Sequence, residues 1–218
     1  MFQVALNLIG LNLMVLYSCS AQPGFHRYFK YLDPIFFWEP YCKSDEFAVR
    51  YHSKVIAGQI FHFLPAMEAS IIQLEKKDVD TIIGFLSEAS SSDKHEVSKL
   101  GCIFSTQELL SGVSCLLYDA INSERMINGD MLTVLMSLLV SGSLIERREA
   151  LLIMWKLANL PLFMEILNSL DLPVIDILTE LESSEGADLK LLISGLLSCV
   201  DAKNSKSCCI MLLLLKHH

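Results

Sequence analysis

The stretch Leu139–Asn159, LVSGSLIERREALLIMWKLAN, puts a short polar turn in front of a long helix with apolar residues at Leu144, Leu151, Met154, Trp155 and Ala158. A fainter copy starts 42 positions later and runs from Leu181 to Val200. Helical units that recur at roughly 40 residues cannot bury their apolar faces alone and stack on their neighbours. This recurrence constrains the fold more than any other feature, and it points to an array that offers surface to other proteins.

Composition supports helices. Strands draw on Val, Ile, Thr and aromatic alternation, whereas Leu dominates here and only four Thr occur among 218 residues. Charged residues make up 19%, below the roughly 25% of ordinary soluble domains, so much of the chain is expected to be buried or to meet a partner. The net charge is −8, and no basic cluster exceeds the pairs Lys76-Lys77 and Arg147-Arg148. Direct nucleic-acid binding, which needs a basic patch to neutralise phosphates, is not expected.

Seven cysteines at irregular spacing do not form the even, dense framework of a disulfide scaffold. Most sit among apolar helical neighbours and read as small buried hydrophobes. A reducing compartment, cytoplasmic or nuclear, follows as the expectation. The N-terminus leaves a second reading open. No charged residue precedes Arg27, and Cys19-Ser-Ala21 before Gln22 has the outline of a signal cleavage site. Against a signal stand the missing positive charge near Met1 and the interruptions Asn7 and Asn12. Residues 1–21 are therefore either an apolar helix of a truncated first repeat or a cleaved signal. The signal would make the chain a secreted or membrane-associated helical protein, and a mature N-terminus at Gln22 would decide for it. At the other end, residues 205–218 form an irregular apolar tail whose run Cys208–Leu215 is far shorter than the roughly 20 residues of a membrane span.

Between these ends, residues 22–43 are rich in aromatics and Pro and read as a connection. Residues 44–204 read as successive helices. Ser44-Asp-Glu46 caps a helix to Phe63, in which Val49, His52, Val55, Ile56, Gln59, Ile60 and Phe63 share a face. Helices are then expected over Met67–Leu74, Asp78–Leu86, Glu96–Phe104, Thr106–Ile121, Met131–Val140, Pro161–Leu170, Pro173–Leu181 and Ala187–Val200. Polar loops before long helices near Asp45, Asp93, Ser143 and Gly186 are spaced by about 48, 50 and 43 residues. Those intervals approach the roughly 40–47 of HEAT and armadillo repeats.

Leu138-Leu-Val-Ser-Gly-Ser, followed by Arg147-Arg-Glu-Ala150 and then Trp155-Lys-Leu-Ala-Asn159, resembles an armadillo repeat. The resemblance implies a right-handed α-solenoid of about three to four armadillo-like units. It also implies a groove in which an Asn like Asn159 bonds an extended peptide backbone, a Trp like Trp155 packs its side chains, and Arg147 and Arg148 flank the turn. At i, i+4 Trp155 and Asn159 share one helical face. A buried Trp followed by a helix-ending Asn before Pro161 gives the same spacing.

No catalytic signature accompanies this pattern. There is no Cys-x-x-Cys, no His-x-x-x-His with a Glu, and no Gly-rich phosphate loop. Cys102 or Cys115 paired with a distant His is the nearest approach to a nucleophile. Neither a metal nor another cofactor is expected. One electrostatic feature stands out: between Lys156 and Lys190 the chain has no basic residue but carries Glu165, Asp171, Asp176, Glu180, Glu182, Glu185 and Asp188. If these share a face, Glu180, Glu182 and Glu185 would steer a basic partner; a solvated outer face is the alternative. The expectation is a non-catalytic scaffold or adaptor that binds protein partners through a basic or extended segment, alone or as part of a larger protein or complex, without lipid.

Overall fold

The structure is a computed structural model that describes residues 15–16, 18–20, 22–25, 28, 39–60, 69–99, 102–169, 174–184 and 186–201. It is mostly helical, with 78% of these residues in helices, and contains one two-stranded sheet. The chain divides into two compact units, Met1–Ser123 and Glu124–His218. The expectations for residues 1–14, Phe63 and 202–218 lie outside the described residues.

Unit 1 is built around α1 (Phe47–Ile60), which is buried on nearly every side. The helix starts three residues after the expected Ser44, whose hydroxyl accepts the Glu46 N–H at 3.2 Å just ahead of it. After a 3-10 turn, Ala69–Ile72, comes α2 (Lys76–Ser90), whose inner stripe is Asp78, Val79, Ile82, Leu86 and Ala89. Then come β1 (Glu96–Lys99), β2 (Cys102–Ser105) and α3 (Thr106–Leu116). Helix α1 packs on α3, and α2 packs on α3 and the hairpin. The crossing of α1 and α3 is close because both helices carry glycine there. A Cβ on Gly112 would stand 2.1 Å from the Tyr51 hydroxyl, and one on Gly58 would stand 3.0 Å from the Cys115 carbonyl. Rings of Phe47, Tyr51, Phe85 and Phe104 fill the space between α1, α2 and the hairpin with centroids 5.4–6.2 Å apart, within the range of favourable edge and offset contacts.

The hairpin corrects one expectation. Val97, Leu100, Ile103 and Phe104 suggest a helical stripe, yet the segment forms antiparallel strands with Val97 opposite Phe104. Burial follows a period of two: Val97 and Phe104 point inward while Ile103 is 65% exposed. A β-branched residue facing an aromatic suits a strand pair, and Gly101 and Ser98 weaken the helical alternative. The base is clamped by His95, at φ 52°, whose carbonyl accepts from both the N–H and the hydroxyl of Thr106 at 2.9 and 3.1 Å. The expected single helix Thr106–Ile121 also breaks. It ends at Leu116, and Asp119 caps α4 (Ala120–Asn128) by accepting the Asn122 N–H at 2.9 Å.

Unit 2 contains the rest of α4 and then α5 (Met131–Ser141), α6 (Leu144–Leu157), α7 (Pro161–Ser169), α8 (Val174–Ser184) and α9 (Ala187–Asp201). The break at Gly129-Asp130 is a left-handed Asp130, φ 71°, whose carboxylate accepts from Thr133 at 2.6 Å. Helix α6 opens with a capping box: Ser143 N–H donates to the Glu146 carboxylate at 2.7 Å, and the Ser143 hydroxyl accepts the Glu146 N–H at 3.4 Å. Pro161 occupies the first position of α7, where its missing N–H costs nothing. Helix α5 pairs with α6 and α8 with α9; α6 also packs on α9, and α5 meets α8. The interior is Leu, Ile and Met with Phe163 and Trp155. Leu144, expected on the apolar face, is the first residue of α6 and is 62% exposed.

Candidate functional site

In unit 2 the structure separates the residues that the sequence singled out for partner binding. The Trp155 side chain is only 7% exposed. Its ring lies over Gly195 of α9, where a Cβ would come within 2.0 Å of two ring carbons. Asn159 turns its amide back on its own helix, donating to the Trp155 carbonyl at 3.2 Å and the Lys156 carbonyl at 3.4 Å. The pair thus closes α6 and seals it against α9. Arg147 donates to the Val140 carbonyl at 3.2 Å and holds the α5–α6 turn. Exposed Arg148 pairs with Glu149 at 3.1 Å. Glu180 is exposed and Glu182 half-buried on α8, while Glu185 lies outside the described residues. Asp176 and Glu180, four apart, form an exposed acidic edge together with Ile175 and Thr179.

Unit 1 holds the polar cluster that sequence reasoning missed. Arg50 and Lys54 sit one turn apart on α1, and Asp78 lies in the first turn of α2; all three are buried. The Arg50 guanidinium grips Asp78 through Nη2 at 2.6 Å and Nε at 3.1 and 3.2 Å. Its remaining nitrogen, Nη1, donates to the Ser44 carbonyl and, at 3.0 Å, to the Asp45 carbonyl. The hydrogen bond to Asp78 raises the Arg50 pKa further. Lys54 donates to the Gln73 carbonyl and stands 4.0 Å from Asp78. Burial lowers its pKa, partly offset by Asp78. Beside them the buried Cys42 thiol is pushed up to about 12 by desolvation and stays protonated at neutral pH. A cleft of about 410 Å³ opens over this cluster.

A second network ties the start of α4 to the rest of unit 1. The fully buried Asn122 accepts the Leu74 N–H at 2.7 Å and donates to the Ile72 and Leu116 carbonyls at 3.0 Å each. On the other side of α1, His52 bridges the Ala48 carbonyl and the Glu108 carboxylate at 2.7 and 2.9 Å, with its ring stacked on Phe104. Cys102 has its pKa raised by burial and by Glu108. Among the described residues, no three His, Cys, Asp or Glu side chains converge as a metal site. No single described helix is long and apolar enough to cross a membrane.

A trace of the ion cluster is visible in sequence: Arg50 and Lys54 fall four apart among apolar neighbours, and Asp78 sits on the stripe of Val79, Ile82 and Leu86. Comparison with protein-family models, curated proteins and solved structures found no match to this chain.

Proposed function

We propose that this chain is a non-catalytic protein-interaction module, built as an armadillo-like solenoid and serving as a scaffold or adaptor. The observation that carries the reading is a three-helix period. Helices α4, α5 and α6 start at Ala120, Met131 and Leu144; α7, α8 and α9 start at Pro161, Val174 and Ala187, after intervals of 41, 43 and 43 residues. Lengths recur as well: 9 and 9, 11 and 11, 14 and 15 residues. Corresponding helices meet, α5 with α8 and α6 with α9, the neighbour-on-neighbour stacking that buries the faces of repeats. The buried Trp155 and the self-capping Asn159 favour a stacking role for that helix over a peptide ladder. The exposed edge of Asp176 and Glu180 suits a basic partner.

Proximity labelling of the full chain, set against an unrelated helical protein at matched expression, tests the reading. A reproducible partner set that shrinks on Asp176→Lys with Glu180→Lys supports both the interaction and the acidic edge. A set that survives those changes removes the edge, and no enrichment over the control removes the interaction reading.

A further inference from the structure

We propose that the cleft of unit 1 binds a single carboxylate group, with the Lys54 ammonium as its buried anchor. This goes beyond the interaction reading and rests on different residues.

The Arg50 guanidinium engages both Asp78 oxygens, and its Nη1 is satisfied by two backbone carbonyls. An ammonium has three N–H donors. Among the described residues, Lys54 places one on the Gln73 carbonyl, and the Asp78 oxygen at 4.0 Å is beyond hydrogen-bond range. The Lys54 side chain is only 7% exposed, so solvent reaches it poorly. Two buried cations share one buried carboxylate, and the lowered pKa of Lys54 has burial as its largest cause.

The cleft wall offsets this shortage only in part: Glu75 favours the Lys54 charge from a distance, and the acids there are engaged elsewhere. Glu39 pairs with Lys43 and Glu75 with Lys77 at 2.9 Å, both at the surface. Asp45 is exposed. The Cys42 thiol, pushed up to about 12, supplies no charge. A volume of about 410 Å³ lies within the roughly 300–1,000 Å³ of small-molecule sites. An entering carboxylate brings acceptor oxygens and a negative charge to Lys54 in a charge-assisted bond. The rim carries Glu39, Asp45 and Glu75 against Lys43 and Lys77, a single excess negative charge that opposes a phosphate dianion more than a monoanion. The carboxylate can belong to a free short-chain acid or to a Glu or Asp side chain of a docked polypeptide; the recognition chemistry is the same.

NMR titration of the full chain distinguishes these cases. Sodium acetate represents the free acid and a doubly capped Glu-containing tripeptide the polypeptide. The Gln analogue of that peptide, phosphate and chloride, at matched ionic strength, are controls. Saturable shifts at the Lys54 side chain and the Gln73 amide are expected with acetate, the Glu peptide or both, and whichever binds identifies the source. Phosphate is expected to bind at least roughly tenfold more weakly, and Lys54→Met to abolish the response. If Lys54→Met does not fold, wild-type protein is footprinted with a small lysine-acylating reagent: the bound carboxylate must slow labelling of Lys54 and leave Lys43 and Lys77 unchanged. No saturable response above chloride, an equal response to phosphate or the Gln peptide, an undiminished response in folded Lys54→Met, or unprotected Lys54 overturns the proposal.

Discussion

The two units solve the same problem of holding short helices together by opposite means. Unit 1 buries charge and amide groups at its centre: Arg50, Lys54 and Asp78 tie α1 to α2, and Asn122 ties α4 to the segment before α2. Unit 2 relies on a Leu- and Met-rich interior, and among its described residues the buried charged side chain, Glu146, belongs to a helix cap. Polar ties are directional and demand particular partners, which suits a unit whose helices are joined by a hairpin and a 3-10 turn. Apolar stacking is forgiving of partner identity and repeats readily, which suits helices recurring at 41 to 43 residues. The contrast predicts that unit 1 fails when one partner is deleted, whereas unit 2 fails when shape is disturbed.

The sharpest break comes from Asp78→Ala. It leaves Arg50 and Lys54 buried without their carboxylate, and losing one member of a buried ion cluster costs about 3–5 kcal/mol. Hydrogen exchange read by mass spectrometry should show protection collapsing in α1 and α2 while α5 and α6 keep theirs. Retained protection in α1 would mean that the aromatic cluster around Phe47 and Phe104, and not the ion cluster, carries unit 1. Asn122→Ala should come next. It removes the side-chain acceptor of the Leu74 N–H and the donor to the Ile72 carbonyl, while the Leu116 carbonyl keeps the Asp119 N–H at 3.3 Å; each buried group left unsatisfied costs about 1–3 kcal/mol, and water entry is expected to hold the total to the lower part of that range. Urea unfolding of the variant against wild type measures it, and a loss below about 1 kcal/mol would show that solvent already reaches these groups.

These sites also mark the limit of what the sequence discloses. The helical class, the Ser143 turn and the Pro161 start are local signals, and the 43-residue spacing between the polar loops near Ser143 and Gly186 can be counted, whereas the loop near Asp93, expected about 50 residues before Ser143 to open another unit, leads into the hairpin. The hairpin is hidden because Val97, Leu100, Ile103 and Phe104 fit a helical stripe as well as a strand pair, and only the packing of Phe104 among Phe47, Tyr51 and Phe85 decides between them. Arg50 and Asp78 are 28 residues apart, and Asn122 lies about 50 from the carbonyl of Ile72; no periodicity links such residues before the fold does. Trp155 and Asn159 show the converse. Their i, i+4 spacing is readable, but whether it faces a groove or α9 depends on Gly195, forty residues downstream of Trp155.

Gly195→Ala tests that dependence and the shape rule of unit 2 together. The new methyl would meet the Trp155 ring at 2.0 Å, and overpacking of this kind costs about 1–3 kcal/mol. Trp155→Leu in the same chain should recover part of the loss, because the smaller side chain vacates the space; tryptophan fluorescence or exchange in α9 reports the change in the single variant and exchange in the double. Gly112→Ala is the counterpart in unit 1, where the obstacle is the Tyr51 hydroxyl. A loss there that Tyr51→Phe relieves would show that unit 1 also obeys a shape rule at the α1–α3 crossing, weakening the contrast.

The smallest effect is expected at Ser143→Ala. It removes the hydroxyl that accepts the Glu146 N–H, and loss of an N-cap costs about 1 kcal/mol. The Glu146 carboxylate would still accept the Ser143-position N–H, since that bond uses backbone, so half of the capping box survives. The contrast between the units therefore requires a modest, local loss: faster exchange in the first turn of α6 and unchanged exchange at Trp155 and in α9. If Ser143→Ala loosened α9 as much as Gly195→Ala does, the polar cap of α6 would be as central to unit 2 as Asp78 is to unit 1. The two units would then differ in how often they use polar ties, with the same dependence on each one.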